Sequence, residues 1–237
     1  MKKQSHKTKN ARNGFTLIEL AVVLVIASTL IAGGIMTVVG NRETQRLRNT
    51  AEQLQYILKK ITDYVDANGF LPCPANPTAT FYSSTFGRGL GSGDGGCTAS
   101  NIVTPGTLGI GALPVYELGI SASLTMDAWN NRITYVVDQN LVDAAGFIEN
   151  NGSINVNNFG RGATTPANIT TTAAVLLVSH GPNGFGAWRG RGGARLPTAG
   201  AGANELLNTD DNTLFVQSIP GPNFDDLVSF YEKWQLD

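Results

Sequence analysis

Hydrophobic and polar positions divide the chain into three regimes. Residues 1–14 are polar and basic, with Lys2, Lys3, Lys7, Lys9 and Arg12 and no acid. Residues 15–40 are apolar, and Leu20–Gly40 carries no charge; the lone carboxylate, Glu19, stands at the mouth of this run. About 20 consecutive apolar residues are what one helix needs to cross a bilayer. A secretory signal has a shorter apolar core and is followed, not preceded, by its cleavage site. A buried soluble helix rarely goes so far without charge. The pattern therefore predicts one membrane-spanning helix over residues 15–40, with its N-terminus cytoplasmic because the basic residues precede it. Gly33-Gly34 would permit close packing or local loosening within it.

Beyond Asn41 the period persists but the polarity changes. Leu47, Ala51, Leu54, Leu58, Ile61 and Val65 recur at steps of four and three, one face of a helix. Arg48, Glu52, Gln53, Lys59, Lys60 and Asp63 fall on other faces. Asn68-Gly69 supplies a stop, and Pro72 and Pro74 forbid continuation. One helix from Phe15 to Asn68 is predicted, with a membrane half (15–40) and an amphipathic half (41–68). A coiled coil is the competing reading of the stripe, but three heptads lack the sustained charged flank it would need.

Period-two patterns follow. Leu108–Leu118 reads as turn, short extended segment and turn. Ile133, Tyr135 and Val137 alternate as in a half-buried strand. Asn130-Asn131 suits the left-handed conformation of a tight turn. Residues 139–172, rich in Asn, Gly and Thr, are predicted to lie outside the central sheet. Ala173–Ser179 is a continuous apolar run and the candidate central strand. Residues 186–202 read as a flexible stretch, Thr213–Ser218 as a strand, and Asp225–Trp234 as a last strand or a short helix. The fold class expected is α+β: a long N-terminal helix packed on a small antiparallel β-sheet domain (residues 69–237) with long Gly- and Asn-rich loops.

Charge narrows the partners. The whole chain balances 17 basic against 18 acidic residues. Without the five cations of residues 1–14, the remainder is near −6. Broad affinity for nucleic acid is not expected of such a chain, and DNA is not among its expected partners. Two cysteines, Cys73 and Cys97, lie on the side of the apolar run facing away from the cytoplasm. A disulfide suits that compartment; two buried free thiols are the alternative.

The string KNARNG-FTLIELAVVLVIASTLIAG resembles the class III leader of type IV pilins and pseudopilins. The resemblance implies cleavage by a prepilin peptidase between Gly14 and Phe15, and N-methylation of Phe15. It implies further that Glu19 sets subunit register during assembly, by pairing with the new amino terminus of a neighbour. The implied partners are that peptidase, other pilin or pseudopilin subunits, an inner-membrane assembly platform and membrane lipid. The implied location is the bacterial inner membrane, with the globular domain periplasmic, and assembly into a type II secretion pseudopilus or a type IV pilus. The alternative is a tip or minor pilin that binds DNA, a surface or secreted cargo. No enzymatic activity is expected. The later strings D-A-W-N-N-R-I-T-Y, V-S-H-G-P-N-G and D-D-L-V-S-F look like the sheet of the type II secretion major pseudopilin, with Ala128, Asn130 and Asn183 departing from its pattern.

In that pseudopilin the segment before the last strand binds calcium. The matching region here offers Asn208, Asp210, Asp211 and Asp225, together with Asn212 and Asp226. An EF-hand is excluded, because Thr213 and Ile219 stand where its glycine and bidentate glutamate belong. A non-EF calcium loop is one reading and a solvated acidic turn the other. His180 stands beside Ser179 without the G-x-S-x-G elbow of a hydrolase, and adjacent Asp225-Asp226 would point apart in a strand rather than form a dyad. Arg189, Arg191 and Arg195, preceded by Trp188, form a basic stretch that could touch DNA through phosphates and stacking; a polar loop on the sheet edge or a subunit contact is the other reading.

Overall fold

The computed structural model of the chain describes residues 16–91, 93, 96–98, 102–159, 166–221 and 223–236, with only the backbone of residues 30–41. Helix α1 runs Leu17–Asn68 as 52 continuous residues, unbroken at Gly33-Gly34. Two compact units divide within it, residues 1–45 and 46–237. In the first unit, described side chains from Leu17 to Ile26 are largely exposed, Leu17 at 89 % and Ile18 at 74 %. Among the described residues no helix is long and apolar enough to cross a membrane; the side chains of the apolar run are described only as far as Thr29.

The second unit is a six-stranded sheet with the rest of α1 against one face. The strands are β1 (Leu108–Ala112), β2 (Thr134–Asp138), β3 (Ile154–Phe159), β4 (Ala167–Ser179), β5 (Leu214–Ser218) and β6 (Leu227–Glu232). They lie in the order β1-β2-β4-β3-β5, and β6 also pairs with β4. All pairs are antiparallel except β3 with β5, which run parallel. β4 is thus the hub, as its apolar second half predicts.

Both faces of the sheet are covered, so β2 and the second half of β4 are buried on each side. Tyr135, Val137, Val175 and Leu177 meet Leu54, Ile57, Leu58, Ile61 and Val65 of α1. Val136, Leu176 and Val178 face the other way, against Trp188, Phe215 and Val228. The alternation at Ile133, Tyr135 and Val137 marks a real strand, but not a half-buried one; a second apolar layer occupies the opposite face. The helical stripe is shifted as well. Ala51 is exposed, and Ile57 joins the core. Thr50 is buried at the upper end, where its hydroxyl accepts from the Ala128 amide at 3.3 Å. Gln53 donates to the Leu124 and Met126 carbonyls at 3.0 and 2.8 Å.

The expectation that residues 139–172 stand outside the sheet is overturned. They contain α2 (Ala144–Glu149), all of β3 and the first part of β4. Ile154 and Val156 point into the core while Asn155 and Asn157 alternate with them, so a strand was present beneath a polar composition. The Thr-rich start of β4 is β-branched and suits an exposed strand. The end of the chain resolves to β6 followed by a short 3-10 turn, Lys233–Gln235.

Candidate functional site

The N-terminal segment is built around a capped helix start. The Thr16 hydroxyl accepts from the Glu19 amide at 3.3 Å and its carbonyl from the Leu20 amide at 3.2 Å. Glu19 therefore sits in the first turn, where the helix dipole favours a negative charge. Its side chain is exposed among apolar neighbours, and among the described residues it has no hydrogen-bond or ion-pair partner. Farther along, the Ser28 and Thr29 hydroxyls donate back to the Val25 and Ile26 carbonyls at 2.9 and 2.8 Å. These two hydroxyls are thus satisfied within the helix, as an apolar environment demands. Gly14 and Phe15 lie outside the described residues.

Cys73 and Cys97 form a disulfide, with Cα atoms 5.4 Å apart across 24 residues of sequence. It pins the extended segment after α1 to the far end of a glycine-rich loop. Gly89 within that loop approaches the backbone so closely that a Cβ would stand 1.9 Å from the Cys73 carbonyl oxygen.

The proposed calcium residues separate into two groups. Asp225 comes together with Asp226 and with Glu205 of helix α3 (Ala203–Leu207); one carboxylate oxygen of each lies within 4.8 Å of the others. The two aspartates precede β6 rather than lie in it, so they converge on Glu205 where strand geometry would have pointed them apart. Glu205 accepts from the amides of Gly202 and Asp225, at 2.8 and 3.1 Å, and from the Asn183 side chain at 2.8 Å. Asp225 accepts from the Asn183 amide at 3.1 Å, while its other oxygen is buried without a partner. Burial first, then the neighbouring Glu205, pushes the Asp225 carboxyl up to about 7. Burial, followed by Glu205 and Asp225, pushes Asp226 up to about 8.

Asn208 borders this cluster but is committed to the fold. Its side chain exchanges hydrogen bonds with Val216 and donates to Asp226 at 2.8 Å. Asp210 and Asp211 face elsewhere. Asp211 pairs with Arg195, and Asp210 accepts from Asn212. Sequence reasoning missed Glu205, which is set apart from the aspartates by the 209–224 segment. Its one local signal is a helix-start glutamate three residues after Gly202.

The Ser179-His180 pair does not make a hydrolytic site. Ser179 donates to Asp127 at 2.7 Å, whereas His180 Nε2 bonds the Thr134 hydroxyl at 2.8 Å. Burial holds the His180 imidazole down at about 3, so it stays neutral. Asp127 organises the turn before β2 by accepting from the Trp129 and Asn131 amides, each at 2.9 Å. Asn130 takes the left-handed conformation there, with φ 67°.

The basic stretch is split by the fold. Trp188 is buried, and the Arg195 guanidinium stacks on it at 3.9 Å while bonding the Thr209 carbonyl at 2.6 Å. Only Arg189 and Arg191 remain exposed.

No curated protein and no solved structure shows significant similarity to the chain. Residues 9–35 match the family model described as the prokaryotic N-terminal methylation motif. The match spans the end of the basic segment, Gly14-Phe15, Glu19 and most of the apolar run, as far as Ile35. At its N-terminus the chain carries the methylation motif characteristic of type IV pilins and pseudopilins.

Proposed function

We propose that the protein is a structural, non-catalytic subunit of a type IV filament, assembled into a type II secretion pseudopilus or a type IV pilus. The observation that carries this reading is the methylation motif joined to a capped helix whose first turn presents Glu19 among exposed apolar side chains, without a partner among the described residues. A membrane prepilin peptidase would cut after Gly14 and methylate Phe15. The cationic amine so produced, on a neighbouring subunit, would pair with Glu19. Within lipid a charge pair between neighbouring subunits is far stronger than on a wet surface, and a lone acid there costs roughly 2.5–3.5 kcal/mol. The apolar run would hold each subunit in the inner membrane before assembly, leaving residues 46–237 periplasmic. The assembly platform and the other subunits are the remaining partners. Glu19→Ala tests the role: the variant should insert in the membrane yet be depleted from sheared filament fractions. Normal incorporation would sink it.

Calcium fits the acidic cluster. Three carboxylates with crowded oxygens, one of them buried and orphaned, suit a hard cation that takes oxygen ligands. Glu205, Asp225 and Asp226 would hold it, and the ion would neutralise their mutual repulsion and tie α3 to the start of β6. Asp210 and Asp211 are engaged elsewhere, and Asn208 is taken up by Val216 and Asp226, so all three are left out of the set.

A further inference from the structure

A cleft of about 1020 Å³ in the second unit is lined by Phe81, Tyr82, Met126, Asn130, Arg189 and Arg191, with Thr80, Gly190 and Gly192 completing it. Its lining contains no acid. Asp127, next to Met126, has both oxygens occupied by Ser179 and by the Trp129 and Asn131 amides.

The cleft is held in shape from beneath by Arg132, which is 1 % exposed. Its guanidinium donates to the Pro77 carbonyl at 3.0 Å, to the Ala79 carbonyl, and to the Gly190 carbonyl at 3.3 Å. One cation thus ties the two walls together. The Gly193 amide adds a second tie, to the Thr78 carbonyl at 3.0 Å. Among the described residues Arg132 has no carboxylate partner. A buried, unneutralised charge therefore lies under a cleft whose rim carries two more, on a chain that is otherwise acidic. Such focused potential selects an anion.

The apolar side of the cleft selects a ring. Tyr82 is fully exposed and Phe81 40 % exposed. Phe81 rests on Phe86, centroids 4.5 Å apart, and Phe86 lies 5.2 Å from the Arg132 guanidinium. The platform is thus fixed from behind while its outer faces stay open. Met126 contributes a polarisable sulfur that contacts rings well.

We propose that this cleft binds single-stranded nucleic acid, with phosphates on Arg189 and Arg191 and bases stacked on Tyr82 and Phe81. Cations along a backbone track beside aromatic platforms are how proteins hold single strands without reading sequence. The acidic remainder of the chain confines contact to the cleft, so the binding is local and modest in its salt dependence.

The test uses the full chain in a non-ionic detergent and the fluorescence anisotropy of a labelled oligothymidylate. Arg189→Gln with Arg191→Gln should weaken binding on the order of tenfold and flatten its dependence on salt by about two phosphates. Tyr82→Ala should weaken it roughly fivefold or more, the loss expected for one stacked base. All three residues are exposed, and an unchanged melting temperature verifies folding. Absence of oligonucleotide binding overturns the proposal. So does equal affinity for inorganic polyphosphate combined with indifference to Tyr82→Ala, which would make the cleft a general anion site. Tighter binding of polyglutamate would assign it to acidic protein partners and overturn the proposal equally.

Discussion

Ser179 at the end of β4 donates its hydroxyl to Asp127 Oδ2 at 2.7 Å, joining the central strand to the turn that launches β2. The other oxygen of the same carboxylate holds the Trp129 and Asn131 amides. Burial raises the Asp127 carboxyl above the usual range even as these bonds oppose it. Hydrogen bonds to a charged group are worth about 1.5–3 kcal/mol each when one partner is removed. Asp127→Ala should therefore destabilise the unit of residues 46–237 by about 3 kcal/mol or more, and Ser179→Ala by about 1–2 kcal/mol. Urea unfolding of the two variants measures both; equal and small losses would show the turn to be held by other contacts.

Reduction of the Cys73–Cys97 bridge should cost about 3 kcal/mol, the loop-closure contribution expected for a crosslink across 24 residues. The segment it anchors also bonds the sheet through Ala75 and Ala112, whose amides and carbonyls pair at 2.9 Å in both directions. Cys73→Ser with Cys97→Ser should thus lower the midpoint without abolishing folding. Complete loss of the cooperative transition would mean that the loop depends on the bridge altogether.

The acidic cluster makes a signed prediction about pH. Asp225 and Asp226 titrate near 7 and 8 when folded, against 3.8 ordinarily, so the folded unit holds protons that the unfolded chain releases. In EDTA, stability should be greatest in acid on this account and fall as pH rises from about 4 to about 8. Calcium at pH 8 should restore it, because the cation replaces the protons. Asp226→Asn should flatten the decline. A melting temperature indifferent to both EDTA and calcium removes the metal from the account.

His180 pulls in the opposite direction. It titrates near 3 when folded and 6.5 ordinarily, so its contribution is complete above 6.5 and is lost as pH falls toward 3. His180→Gln should shrink the loss of stability between pH 6 and pH 4 (an interval of about two units below the free value). An undiminished acid limb in the variant would assign that limb to other groups.

Much of the architecture was legible in periodicity, and the exceptions are instructive. The end of α1 at Asn68, the central strand at Ala173–Ser179 and the strand over Thr213–Ser218 all follow from spacing and turn residues. β3 was hidden because Ile154 and Val156 alternate with asparagines in a run too polar to suggest a core. Ile57 was missed because a strict four-three stripe passes it by, whereas the sheet is broad enough to bury a neighbouring position. Of the calcium residues, only Asp225 meets a second acid segment. Glu205 reaches it through tertiary folding, which leaves no mark on local sequence. Arg195 reads as a surface cation in the sequence, yet stacks on Trp188 and pairs with Asp211.

The account rests on what happens at the junction of Gly14 and Phe15. Intact-mass and N-terminal peptide mass spectrometry of the protein recovered from a host with an active prepilin peptidase reads that junction directly. The expected species begins at Phe15 and carries one added methyl group on its amine. A chain that retains residues 1–14 under those conditions would contradict the filament-subunit reading.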